Sequence, residues 1–307
     1  MKKTLVIIIS VVIMAAVVLG CVMWYNVATK DKKETNVFIS TDPIFTLEDY
    51  PRVDASLAIH PLVDSLAADF LGVPESELEF EYTETRTSEV YHNLIDGNVD
   101  VIFAAEISKE DEAYAKEQGV ELEIIPATSS AFVFITNINN PVNELTLEEI
   151  QKIYTGEITN WSQVGGNNAE IIPYQRPTGS GSQTAMLSLV MKGKPIKEPP
   201  LDEVQDGMGE LIDAVAEYDN AENAIGYSYF YYVNTMYKRD TIKMIAVDGV
   251  EPSVATIKSG KYPIYTNGFI VIRKDSPLDS PERKWVEAVL SPRGSRIIEN
   301  AGYVPVN

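Results

Sequence analysis

The sequence predicts an α/β fold. Short apolar, β-type runs alternate with segments of helical periodicity from about residue 50 onward. No internal repeat or low-complexity tract interrupts the alternation. With 307 residues, 45% apolar and 23% charged, the chain can bury the core of one large or two ordinary domains.

Lys2 and Lys3 precede an apolar run from Leu5 to Tyr25, broken only by Ser10 and Gly20. A basic flank before such a run marks a secretion signal or membrane anchor. Two readings stay open. Val18-Leu19-Gly20-Cys21 has the form of a lipobox, which would make Cys21 a lipidated N-terminus. Alternatively the 21-residue run spans the bilayer as a helix, with Trp24 and Tyr25 at the outer interface. Both place the rest of the chain outside the cytoplasm at the cell membrane, on a polar linker over Lys30–Asn36.

Elements then follow in order. Arg52–Ala55 reads as a strand. Leu62, Leu66 and Phe70, four apart, form the buried stripe of a helix. Residues 78–82 alternate as a strand, and Glu89–Ile95 as a helix ending near Gly97. Val99–Ala104 is a buried strand. Asp111–Glu117 is helical and stopped by Gly119, with strand Leu122–Ile125 after it. Ala131–Ile135 is a separate apolar run leading into Asn- and Pro-containing chain. A second series opens with a capping box, Thr146-Leu147-Glu148-Glu149, on a helix that turns Ile150, Ile153 and Tyr154 inward and ends at Gly156. Ile171–Tyr174 is a strand, Thr184–Met191 an apolar helix, Ala224–Tyr227 and Gly268–Ile272 strands, and Trp285–Leu290 and Arg296–Asn300 helices. Trp161, Tyr154 and Tyr227 are read as core aromatics.

Composition excludes several chemistries. Cys21 is the one cysteine, so the folded part holds no disulfide, thiolate metal site or thiol nucleophile. The two histidines, His60 and His92, form no HExxH motif or close pair, and no nucleophile–base pair is visible. A secreted hydrolase is therefore the weakest reading, and no cofactor or metal is expected. The first 33 residues carry a charge of +4 and the rest −24. Such a surface repels nucleic acid. An anion would have to be drawn by a local cluster of donors.

That cluster is Gln175-Arg176-Pro177-Thr178-Gly179-Ser180-Gly181-Ser182-Gln183-Thr184, between a strand and a helix. Gly179 and Gly181 let backbone approach a ligand. Ser180 and Ser182 bring hydroxyls, the first helical N–H groups lack internal partners, and Arg176 can grip an oxyanion with two N–H groups. No GxxxxGK[ST] is present, so this is not a nucleotide loop. Ser56-Leu57-Ala58 and Thr85-Arg86-Thr87-Ser88 are similar strand-to-helix loops, with Thr87 or Ser88 expected as an N-cap.

The order of motifs resembles the phosphate-binding proteins of ABC-type phosphate importers, from about Arg52 to Val306. The resemblance rests on Ile153–Trp161 with Val164-Gly165-Gly166, on Arg176 with Gly179–Ser182, on Ala224–Tyr227 and on Gly302-Tyr303-Val304-Pro305. It implies a two-lobed periplasmic-binding-protein fold of type II with a cleft between the lobes. The expected division is an anchor and linker over 1–33, lobe 1 over 34–133, lobe 2 over 134–262 and a return to lobe 1 over 263–307, with hinge crossings near 131–137 and 262–272. By position the resemblance implies ligand-binding roles for Ser56, Leu57, Ala58, Thr87, Ser88, Arg176, Gly179, Ser180, Gly181 and Ser182. Leu57 stands where a hydroxyl is usual. Glu106 falls near a family Asp and is expected to choose phosphate over sulfate by accepting the phosphate proton. The implied function is non-catalytic capture of inorganic phosphate or a related tetrahedral oxyanion by a monomer that feeds an ABC permease. A phosphate-sensing or adhesion module on the same fold is the alternative.

Overall fold

The computed structural model describes residues 42–78, 86–218 and 221–306. The N-terminal run with Cys21, and most of the strand expected over 78–82, lie outside the described residues. Among the described residues no helix is long and apolar enough to cross a membrane.

Strand β1 (Val53–Ala55) leads through a 3-10 turn into α1 (His60–Leu71). Pro61 sits in the first turn of α1, where its missing N–H removes no helical bond, and Gly72 closes the helix in the left-handed region at φ 68°. Next come α2 (Thr87–Ile95), β2 (Val101–Ala104) and α3 (Lys109–Glu117). Helix α2 begins at Thr87, earlier than expected. Its N-cap residue is Arg86, so Thr87 and Ser88 are helical and not caps.

Strand β3 (Leu122–Asn137) then runs for 16 residues. The sequence divides it into two runs around Pro126-Ala127-Thr128-Ser129-Ser130, because proline removes a ladder donor and the polar residues suit a turn. The structure absorbs the interruption in a register shift between Pro126 and Thr128, a bulge that lets one strand continue.

The remaining elements are β4 (Glu144–Leu145), α4 (Leu147–Thr155), β5 (Ile172–Pro173), α5 (Gly181–Ala185) continued by a π-turn over Met186–Met191, α6 (Met208–Glu217) and β6 (Ala224–Tyr229). They are followed by β7 (Ile242–Met244), β8 (Ala246–Val247), α7 (Val254–Lys258), β9 (Tyr265–Arg273), α8 (Pro281–Leu290), α9 (Pro292–Asn300) and β10 (Val304–Pro305). The capping box of α4 forms as read: Thr146 Oγ1 accepts from Glu149 N at 3.1 Å, and Glu149 Oε2 accepts from Thr146 N at 2.8 Å.

The sheet order is β1-β2-β9-β3-β6-β5, with β7 and β10 also against β3. β1–β2 and β5–β6 are parallel, and the pairs between them antiparallel. The first part of β3 pairs with β9, and residues 132–136 pair with β6. One strand thus joins two separately packed lobes. One core gathers Phe134, Tyr154, Trp161, Ile212 and Tyr227 from the middle of the chain. Two others gather Phe70, Phe103 and Trp285, and Val90, Tyr91 and Leu94, from its beginning and end. Both buried indoles donate: Trp161 Nε1 to Asn223 O at 2.8 Å and Trp285 Nε1 to Tyr50 Oη at 2.9 Å. Each satisfies the one polar atom its burial would strand.

Gly226 in β6 lies under α6, and a Cβ there would come within 2.6 Å of Leu211 Cδ2 and 3.0 Å of Val215 Cγ2. Gly226→Ala should therefore destabilise the protein by about 1–3 kcal/mol through overpacking. Urea unfolding checks this; an unchanged midpoint would show that α6 yields freely.

Candidate functional site

The carboxyl ends of β1 and β5, and the starts of α2, α5 and α6, meet over strands β3 and β9. They enclose a cavity of about 150 Å³. Of the residues expected at the site, Ser56, Leu57, Ala58, Thr87, Arg176, Ser180 and Gly181 line it. They come from both lobes.

Each is placed by local structure. Ser56 N donates to Phe103 O at 3.0 Å, which extends the β1–β2 pairing by one residue and fixes the turn into α1. Ser56 Oγ lies 3.3 Å from Thr87 Oγ1 and accepts from Ala105 N at 3.4 Å. Ala58 presents backbone, and its carbonyl accepts from Tyr303 Oη at 2.7 Å. On the other lobe Gly179, at φ 86°, turns the chain so that Ser180 can cap α5, its Oγ accepting from Gln183 N at 3.2 Å.

Arg176 is 8% exposed. Its Nη2 donates to Asp206 O at 2.7 Å, while Nε and Nη1 are buried without a hydrogen-bond partner. Among the described residues no carboxylate forms an ion pair with it. Burial lowers its pKa; the Tyr227 and Tyr232 hydroxyl groups oppose this, Arg86 adds to it, and the Glu210 carboxylate opposes it. A buried cation with two idle nitrogen donors and no ion-paired carboxylate is costly unless something anionic completes it. Tyr227, fully buried behind the loop, accepts from Arg176 N at 2.9 Å and pins the backbone at this residue.

Four expected residues lie elsewhere. Ser88 Oγ donates to Asp111 at 2.7 Å, so its hydroxyl is taken inside lobe 1. Gly179 contributes its turn and a carbonyl, which accepts from Ser88 N at 3.2 Å across the cleft, but does not line the cavity. Ser182 is fully buried outside the cavity lining with its Oγ unpartnered. Glu106 also stands outside the lining, and its Oε2 accepts from Ser188 Oγ of the other lobe at 2.6 Å. It bridges the lobes, and the structure does not bring it to the cavity with the other expected residues.

Several lining residues escaped the sequence reading. Arg86 sits in a loop already singled out, and its Nη2 meets Asp206 Oδ1 at 2.9 Å across the cleft. Tyr229 follows Tyr227 at strand spacing, so period 2 along β6 could have indicated it. Its hydroxyl is buried without a partner; burial raises its pKa, Glu106 adds to this, and Arg176 opposes it. Asn267 and Thr266 on β9, and Thr128 and Ser130 on β3, form the floor. Nothing in their sequence separates them from ordinary strand residues. His60 opens α1, and its Nε2 lies 2.7 Å from Ala55 O. Among the described residues no group of side chains is placed to hold a metal ion.

Fold and cavity together define a two-lobed binding protein of the periplasmic type, with its site between the lobes. The model of the PBP superfamily domain matches residues 49–291, and the chain belongs to that superfamily. It is similar to the phosphate-binding protein PstS of Bacillus subtilis, 26% identical over 267 residues that cover 83% of this chain and 80% of that protein. PstS of Borreliella burgdorferi is 27% identical over 218 residues, covering 69% and 76%. Among solved structures, a phosphate-bound ABC transporter substrate-binding protein from Clostridium perfringens superposes with a TM-score of 0.65 at 27% identity, over 83% of this chain and 98% of that one. An ABC-type phosphate transport receptor from Vibrio cholerae shares the fold, with a TM-score of 0.62 at 20% identity over 82% and 98%.

Gly181 packs against the other lobe without room for a side chain: a Cβ would fall 2.6 Å from Thr87 Oγ1 and 2.9 Å from Ala105 Cβ. Gly181→Ala should prop the cleft open. Small-angle scattering should then show a larger radius of gyration than for the parent under the same conditions. Identical curves would mean that the lobes accommodate the methyl group.

Proposed function

We propose that this protein is an extracytoplasmic solute-binding protein that captures inorganic phosphate, or a closely related tetrahedral oxyanion, and delivers it to an ABC permease in the membrane. The observation that carries the proposal is Arg176, buried between the lobes with two unpartnered nitrogen donors and, among the described residues, no ion-paired carboxylate. A tetrahedral oxyanion supplies both the charge and the acceptors. Around it stand the hydroxyls of Ser56, Thr87 and Ser180, each able to donate. The two PstS relatives are named as phosphate-binding proteins, and the Clostridium perfringens structure holds phosphate. The reading is one of binding without turnover by a monomer that needs no cofactor. A tether at the N-terminus, whether lipid on Cys21 or an apolar helix, would keep the protein beside its permease.

Calorimetry of the full-length protein in mild detergent tests this, with phosphate, sulfate and molybdate as titrants. Phosphate should bind at one site per chain. Arg176→Ala should weaken binding by about 2–5 kcal/mol, since the anion loses a buried charged partner. Arg176→Lys should lose part of that, because a planar fork becomes a point charge. Absence of heat with all three anions would overturn the proposal.

A further inference from the structure

With Glu106 committed to Ser188, discrimination between phosphate and sulfate needs another group. The two anions are close in size and shape and differ in one chemical respect. At neutral pH phosphate carries at least one proton and can donate a hydrogen bond, whereas sulfate only accepts. A site that reads this difference must offer the anion an acceptor that has nothing else to accept from.

The unpartnered buried atoms of the cavity-lining residues sort cleanly by this criterion. Arg176 Nε and Nη1 are donors, and Tyr229 Oη can act as one. Any tetrahedral oxyanion serves them equally. Asn267 Oδ1 is the exception: a carbonyl-type oxygen, buried, without a hydrogen-bond partner, on a residue that lines the same cavity. An anion that only accepts leaves it unsatisfied, and two oxygens brought together in a dry cleft repel. The carboxylate among the lining residues, Asp206, is engaged by Arg86 at 2.9 Å, and its side chain is 76% exposed, so water competes for it. Asn267 also sits on β9, opposite Ser129 of β3, the strand that joins the lobes. An acceptor there is held by the sheet and does not depend on lobe closure for its position.

We infer that Asn267 is the specificity-determining residue of the site: its Oδ1 accepts the proton-bearing oxygen of the bound anion, so that the cavity takes protonated oxyanions such as phosphate in preference to sulfate. This inference rests on the oxyanion reading and adds the group that selects within it. An amide suits the task better than a carboxylate in one respect. It accepts without adding a negative charge against a dianion, so selectivity is not bought with affinity.

Two substitutions test it, with inorganic phosphate and inorganic sulfate titrated against the full-length protein. Asn267→Leu keeps the volume and removes the acceptor, and the phosphate-over-sulfate affinity ratio should fall by roughly tenfold, the worth of one buried hydrogen bond. Asn267→Asp keeps the acceptor and cannot donate; it should raise the ratio, weakening sulfate more than phosphate. Thermal melts of each variant exclude misfolding as the cause, and the Asp variant remains informative if the Leu variant does not fold. Parental ratios in both variants would overturn the inference and leave the oxyanion reading standing. Loss of phosphate binding in Asn267→Asp with sulfate binding lost equally would show that the amide donates to the anion, and would overturn it as well. If the unmodified protein binds neither anion, the underlying reading falls, and the selector with it.

Discussion

The constraint on which the site depends is the burial of a guanidinium group without a carboxylate to neutralise it. In the interior of a folded protein an unpaired charge is far costlier than one at the surface. Here that cost is contained by fixed dipoles. Asp206 O takes one N–H of Arg176, the Tyr227 hydroxyl takes its backbone N–H, and Tyr227 is itself locked in the largest apolar core. The remaining N–H groups are left idle. This arrangement makes sense as a site preorganised for an anion, since groups already in place need not be ordered at the moment of binding.

Closure is the second requirement, and the structure meets it with a ring of modest contacts around the cavity. Arg86 meets Asp206, Ser88 N meets Gly179 O, Ser188 meets Glu106, and the Tyr231 ring stacks on Tyr303 at 3.8 Å. Exposed ion pairs and single hydrogen bonds each contribute little. A cleft held shut by several weak contacts can reopen, which a delivery protein requires. Asp206 has a double part. Its carbonyl orients Arg176 while its carboxylate engages Arg86, so the contact that closes the mouth also bears on the residue that would hold the ligand.

The strongly negative surface and the anion-seeking cavity are compatible because they act over different distances. At physiological salt the mean field of surface carboxylates is screened within about 8 Å. Inside the cleft, local donors and two arginines outweigh it. The net charge therefore speaks to the partners the surface repels and not to what the cavity admits.

Much of the fold was legible in the sequence because periodicity reports burial directly. The stripe of α1, the capping box of α4 and the buried strand β2 all form where their patterns stand. The sequence also set Arg176, Ser180 and Gly181 in one loop, and the structure places all three on the cavity. What the sequence could not determine is which side chains from distant segments face one cavity. Leu122–Ile125 and Ala131–Ile135 read as two strands, because a proline in a ladder is tolerated only if the partner strand slips, and the partner, β9, lies more than a hundred residues further on. Glu106 and Ser88 read as ligand groups by position, yet each had a nearer partner, in Ser188 and Asp111, that only the packed structure supplies. Asn267 carried no signal at all. A strand residue becomes a site residue when the pleat turns it toward a cleft, and that direction is set by the register of β9 against β3, a tertiary fact that no local pattern encodes.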